Sequence, residues 1–98
     1  MLVSIACEIL KAGLQLRFLH NSQDRIVEIH TVGFSKKNAP IMRAWQVSGG
    51  SQSGSPTPWR IFQLDEVRDV KVLDIKSHAP RPGYRRGDPS IDRIVCEI

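Results

Sequence analysis

Ninety-eight residues, 41% hydrophobic and 24% charged, make one globular domain, because a second core does not fit in a chain of about 100 residues and the balance is not that of a disordered chain. Fourteen Lys and Arg against ten Asp and Glu give a net charge of +4 and a pI near 9.5, which favours anionic partners and equally serves solubility. The chain has no run of about 18 apolar residues, so no membrane-spanning helix is expected.

Leu2, Ile5, Ile9 and Leu10 fall at helical spacing with Ala6 on the same side, and Gly13 stands where a helix C-cap glycine would. The spacing predicts a helix over 2–12, packed across one end of the fold. Glu8 interrupts its apolar run and no basic residue precedes it, so the segment reads as part of the fold rather than a signal peptide, and the protein as cytoplasmic. Cys7 and Cys96 lie at opposite ends with no Cys or His at metal-ligand spacing. In a reducing compartment they read as two core thiols, with a functional pairing as the alternative.

LQLRFLH at 14–20 alternates, with Leu14, Leu16 and Phe18 on one face and Gln15 and Arg17 on the other. Asn21, Ser22, Gln23 and Asp24 carry turn chemistry, and RIVEIHTVGF at 25–34 reads as a second strand, antiparallel to the first. Lys36, Lys37, Asn38 and Pro40 turn into a third strand at 41–49, with Ile41, Arg43, Trp45 and Val47 opposed to Met42, Ala44 and Gln46. The Gly, Ser and Pro composition of 49–58 marks an exposed loop. A fourth strand spans Trp59 to Leu64, with Arg60, Phe62 and Leu64 on one face, and a fifth lies near Val70 to Ile75. HAPRPGYRRGDP at 78–89 has three prolines and two glycines and is no regular element; IDRIVCEI closes the chain as a last strand. Short strands with turn signals about every ten residues, behind one helix, predict a mainly β fold, a small closed barrel of five to six strands.

Arg60, Phe62, Leu64, Asp65 and Val67 share the frame of the closing motif of the WYL domain, an Sm-like or SH3-like β-barrel, with Glu66 where that family usually has arginine. Leu16, Arg17 and Phe18 resemble the family's first-strand motif, and Arg25, Glu28 and His30 its second. Ile29 replaces a usual proline, and PIMRAWQ at 40–46 lacks the tryptophan, tyrosine, leucine triplet. The chain therefore resembles a distant, standalone WYL-like barrel over about positions 5–75. The resemblance implies a ligand-sensing or nucleic-acid-binding module of the kind found in bacterial regulators, often tied to phage defence, and implies that a residue at the place of His30 helps line the ligand surface.

Several residues could carry binding. Arg17, Arg43 and Arg60 sit mid-strand, where the sheet fixes their positions, and together could clamp a phosphate or carboxylate; solvated arginines paired with acids are the plain alternative. Gln63 and the hydroxyls and N–H groups of a loop holding Ser51 and Ser53 could add donors. His30 lies beside Glu28 on one strand face, with ligand contact, a structural polar role and acid–base chemistry all open to it. Trp59, Arg81, Tyr84, Arg85 and Arg86 combine rings with positive charge, which suits the bases and phosphates of single-stranded nucleic acid, although core tryptophan and a solvated basic loop are the ordinary outcomes. The resulting expectation is a non-enzymatic module that binds a nucleotide or single-stranded nucleic acid on a basic face, with no cofactor and no membrane, and with a homo-oligomer or protein partner open to it. An Sm-like RNA-binding ring built through strand edges and a small hydrolase using His30 are the rivals.

Overall fold

The structure is a computed structural model and describes residues 1–49 and 57–98. One helix, α1 (Val3–Ala12), precedes six strands: β1 (Leu14–His20), β2 (Gln23–Phe34), β3 (Pro40–Gly49), β4 (Trp59–Gln63), β5 (Arg68–Lys76) and β6 (Arg93–Glu97). Gly13 ends α1 in the left-handed region, φ 68°, and its N–H bonds back to the Ile9 and Leu10 carbonyls, the local arrangement that the spacing of the helix predicts. The first turn is tighter than expected. Asn21 and Ser22 alone take positive φ, while Gln23 and Asp24 pair with His20 and Leu19 inside the ladder.

All strands belong to one antiparallel sheet, ordered β4-β3-β2-β1-β5, with β6 on β2. The twelve-residue β2 organises it. One edge of β2 pairs with β3 from Arg25 to Phe34; the other pairs with β1 as far as Val27 and then with β6 from Thr31 to Phe34. Register shifts against β3 at Ile26/Val27 and Ile29/Thr31 are bulges of the kind that bend a strand, and a bent β2 can serve two partners in succession along one edge. Gly33 belongs to this design, since a Cβ there would stand 2.2 Å from the Arg93 carbonyl oxygen of β6.

The concave side holds the core: Leu16, Phe18, Val27, Ile29, Val32, Met42, Ala44, Phe62 and Leu64, closed by Ala6, Ile9 and Leu10 of α1. Phe18 and Phe62 meet edge to face with centroids 5.1 Å apart. The fold is mainly β, as expected, but closure of the expected barrel is not seen among the described residues. Among the described residues β4 and β5 do not pair with each other; a 3-10 turn at Leu64–Glu66 joins them instead. β5 is an edge strand exposed along nearly its whole length.

The cysteines depart from the two free thiols expected. Cys7 of α1 and Cys96 of β6 form a disulfide with Cα atoms 6.0 Å apart. The antiparallel pairing of β6 with β2 carries Cys96 under the helix that also packs on β2, a proximity that 89 residues of separation conceal in the sequence.

Candidate functional site

Alternation along β2 puts Val27 and Ile29 in the core and turns Glu28 and His30 to the opposite face, yet both are fully buried. The cover is the segment 77–92, which has no strand or helix and lies across this face. Its grip is polar. The Glu28 carboxylate accepts from Gln15 Nε2 at 2.9 Å, from the His78 N–H at 2.9 Å, and from Arg81 Nε at 2.7 Å and Nη2 at 3.3 Å. Burial alone would raise its pKa, but Arg81, the His78 N–H and Gln15 outweigh burial and hold it below the ordinary carboxylate value.

His30 is fixed in the same way. Its Nε2 accepts the Arg81 N–H at 3.0 Å, so the proton sits on Nδ1, which donates to the Glu28 carbonyl at 3.0 Å. Burial pushes its pKa down despite the nearby Glu28 carbonyl and carboxylate, and the ring is neutral. This corrects the expectation of a ligand-facing histidine: with both nitrogens engaged and no exposed surface, His30 holds the segment and has no free group to offer a ligand or a proton transfer.

Around it stands an aromatic cluster. Trp59 meets the His30 ring edge to face at 4.7 Å and Trp45 at 5.3 Å, and Tyr84 lies 5.3 Å from His30. Trp59 Nε1 donates to the Pro82 carbonyl at 3.0 Å and the Tyr84 hydroxyl to the Ile98 carbonyl at 2.9 Å. Gly83 is required here, because its φ is +92° and a Cβ would meet Trp59 Nε1 at 3.0 Å. Arg81 lies 5.2 Å from the Trp45 ring while it pairs with Glu28.

Beside the cluster is an open cleft of about 280 Å³, lined by Trp59, Tyr84, Arg85, Arg43, Asp88 and Ser90. Arg43 Nε donates to Asp88 at 2.7 Å, and the Ser90 N–H donates to the other Asp88 oxygen at 2.9 Å. Burial opposes the charge on Asp88, but Arg43 and Ser90 prevail and hold its pKa low. Arg85 is exposed at the rim and makes no ion pair or hydrogen bond among the described residues.

The three strand arginines do not converge. Arg17 is spread over Asp24 on the exposed face of β1, with Nε 3.0 Å from each carboxylate oxygen. Arg43 is held by Asp88 beneath the 77–92 segment, and Arg60 bonds the Thr57 and Trp59 carbonyls. Gln63 ends β4 in solvent, opposite Ile41. Ser51 and Ser53 lie outside the described residues. Of the basic and aromatic set, Trp59, Tyr84 and Arg85 share the cleft, Arg81 is spent on Glu28, and Arg86 pairs with Glu97 at 3.0 Å. Sequence reasoning missed Asp88. Its place in Gly-Asp-Pro-Ser signals a turn, but nothing local announces a partner 45 residues away.

No family model, curated protein or solved structure matches the chain.

Proposed function

We propose that this chain is a non-enzymatic binding module, a distant WYL-like barrel that takes a nucleotide or a short single-stranded nucleic acid in the cleft between β4 and the 77–92 segment. The observation that carries the reading is the grouping of Trp59, Tyr84 and Arg85 around about 280 Å³ of open space. That volume suits a single base, an aromatic ring gives it a face to lie on, and an arginine with no acidic partner among the described residues can meet its phosphate. Asp88, with Arg43 behind it, offers acceptors to exocyclic amines. Binding rather than catalysis is favoured because His30, the one general base the sequence suggests, has both nitrogens occupied.

The test is anisotropy of a labelled oligothymidylate, with tryptophan fluorescence read for mononucleotides. Saturable binding that weakens with salt is expected, about tenfold weaker in Arg85→Ala, equivalent to about 1.4 kcal/mol. No binding at low salt by any oligonucleotide or nucleotide would overturn it. The ring assembly is less favoured. β5 is an open edge, but its register against β1 is broken by two bulges and it carries Lys71 and Lys76, the features that blunt edge-to-edge pairing. A cytoplasmic location belongs to the same reading, the Cys7–Cys96 disulfide is the observation that opposes it, and trapping free thiols in cell extract decides: alkylation at both cysteines supports that compartment, and an intact disulfide overturns it.

A further inference from the structure

Arg25 was not among the candidate residues, yet it is the most buried arginine, 4% exposed. Its guanidinium lies 5.5 Å from the Phe62 ring centroid and, among the described residues, bonds weakly to neutral acceptors only, the His20 carbonyl at 3.4 Å and the Gln23 and Gln46 side chains at 3.3 Å. Arg60, part-exposed, projects from the same face of β4 as Phe62. The two side chains therefore both lie beside Phe62, and burial together with the positive charge of Arg60 lowers the Arg25 pKa. Neither has a carboxylate partner among the described residues, and residues 50–56 contain no Asp or Glu that could supply one.

The buried side-chain nitrogens without a hydrogen-bond partner among the described residues are three: His20 Nδ1, Arg25 Nε and Arg60 Nε. All three belong to side chains around Phe62, whose ring the His20 imidazole meets at 5.1 Å. A guanidinium cannot shed its proton to relieve burial, and a buried cation such as Arg25, with a second cation near it, is costly unless paired. The neutral acceptors around them leave both charges uncancelled, and an anion would cancel both at once.

We propose that the rim of the core at Phe62 is a site for a phosphate-class dianion, held between Arg25 and Arg60; His20 beside them has its Nε2 3.8 Å from Glu66 Oε1 and is not among the groups that hold it. Two guanidinium groups match the two charges and several lone pairs of a phosphate monoester or inorganic phosphate better than they match a carboxylate. The site is distinct from the cleft, because Trp59 and Arg60 leave β4 on opposite faces, and it stands whether or not the cleft binds nucleic acid.

The experiment follows the arginine Nε–H resonances of ¹⁵N-labelled protein during titration with inorganic phosphate, with chloride at matched ionic strength as control. Adenosine monophosphate and adenosine are then compared. Saturable shifts at Arg25 and Arg60 with phosphate are expected, reproduced by the monophosphate if the phosphate of a nucleotide is what enters, and absent with adenosine. Arg60→Gln should weaken the effect at Arg25 at least about tenfold. Arg85→Ala should leave it unchanged while impairing oligonucleotide binding, so failure of one site is told from failure of the other. If Arg60→Gln does not fold, the wild-type spectra decide alone. Shifts as large with chloride as with phosphate, or none at either arginine at saturating phosphate, would overturn the proposal.

Discussion

The arginines beneath the 77–92 segment and those beside Phe62 are alike in chemistry and opposite in circumstance. Arg81 and Arg43 each close on a carboxylate at 2.7 Å, and the acids they meet gain further backbone donors. Among the described residues Arg25 and Arg60 have only neutral acceptors, and each keeps a buried Nε unanswered. Charge that is matched inside the chain builds the fold; charge left unmatched at the edge of a core is what the proposed phosphate site would use. The comparison can be broken by showing that the matched pairs are dispensable.

Glu28→Ala should have the largest effect. It removes the acceptor shared by Gln15, His78 and Arg81 in a fully buried place, which costs about 3–5 kcal/mol when a buried charge loses its partner. Urea denaturation checks this, and a loss below about 1 kcal/mol, the range of a surface pair, would mean that the segment is held by its aromatic contacts instead. Replacing Cys7 and Cys96 together by serine should cost about 2–5 kcal/mol, chiefly by freeing the unfolded chain. Melting with and without reductant measures the same quantity on the unaltered protein.

Acid should loosen the covered face in two stages. The folded His30 has a pKa below its ordinary 6.5, so the unfolded chain takes the proton first. Stability is fully present above about pH 7 and falls as pH drops below 6.5, by at most about 1.4 kcal/mol per pH unit for one proton. Glu28 and Asp88 are depressed from 4.5 and 3.8, so their contribution is present above those values and is lost as pH falls through the lower folded ones. In His30→Gln the first stage should vanish and the second remain; an unchanged first stage would assign it to another group.

Tyr84→Phe removes the hydroxyl that bonds the Ile98 carbonyl and meets the Thr31 side chain, and leaves the ring in place. It should cost about 0.5–1.5 kcal/mol and leave oligonucleotide binding intact, since the proposed contact is with the ring. A binding loss equal to that of Arg85→Ala would make the hydroxyl part of the site.

Local rules made the strands readable. Gly13, Asn21 and Ser22, and the alternation around Leu16 and Phe18 each act within a few residues. The covering segment obeys no such rule. Arg81 reads as a solvated basic residue until it meets Glu28, 53 positions earlier, and His30 reads as open to a ligand until the same residue's N–H caps its Nε2. The motif position of Arg60 pointed to binding, but its natural companion is Arg25, brought beside it by the antiparallel order β2-β3-β4, not Arg17 or Arg43. Charges on one strand face can be read in a sequence, whereas which charges find acids across the fold depends on register and cover.

The smallest expected effect tests the comparison from its other end. Arg17 and Asp24 form an ion pair with Nε 3.0 Å from both carboxylate oxygens, and each raises the other's preference for its charged form through their hydrogen bonds. Both are about half exposed, and water offers either group a comparable partner once the other is gone. Arg17→Ala, Asp24→Ala and the double variant should therefore leave the urea midpoint and the phosphate-dependent Arg25 shift indistinguishable from the parent. If Arg17→Ala weakened that shift, Arg17 would join the rim site despite its acid, and the presence of a carboxylate partner would no longer separate arginines that build the fold from those free to bind.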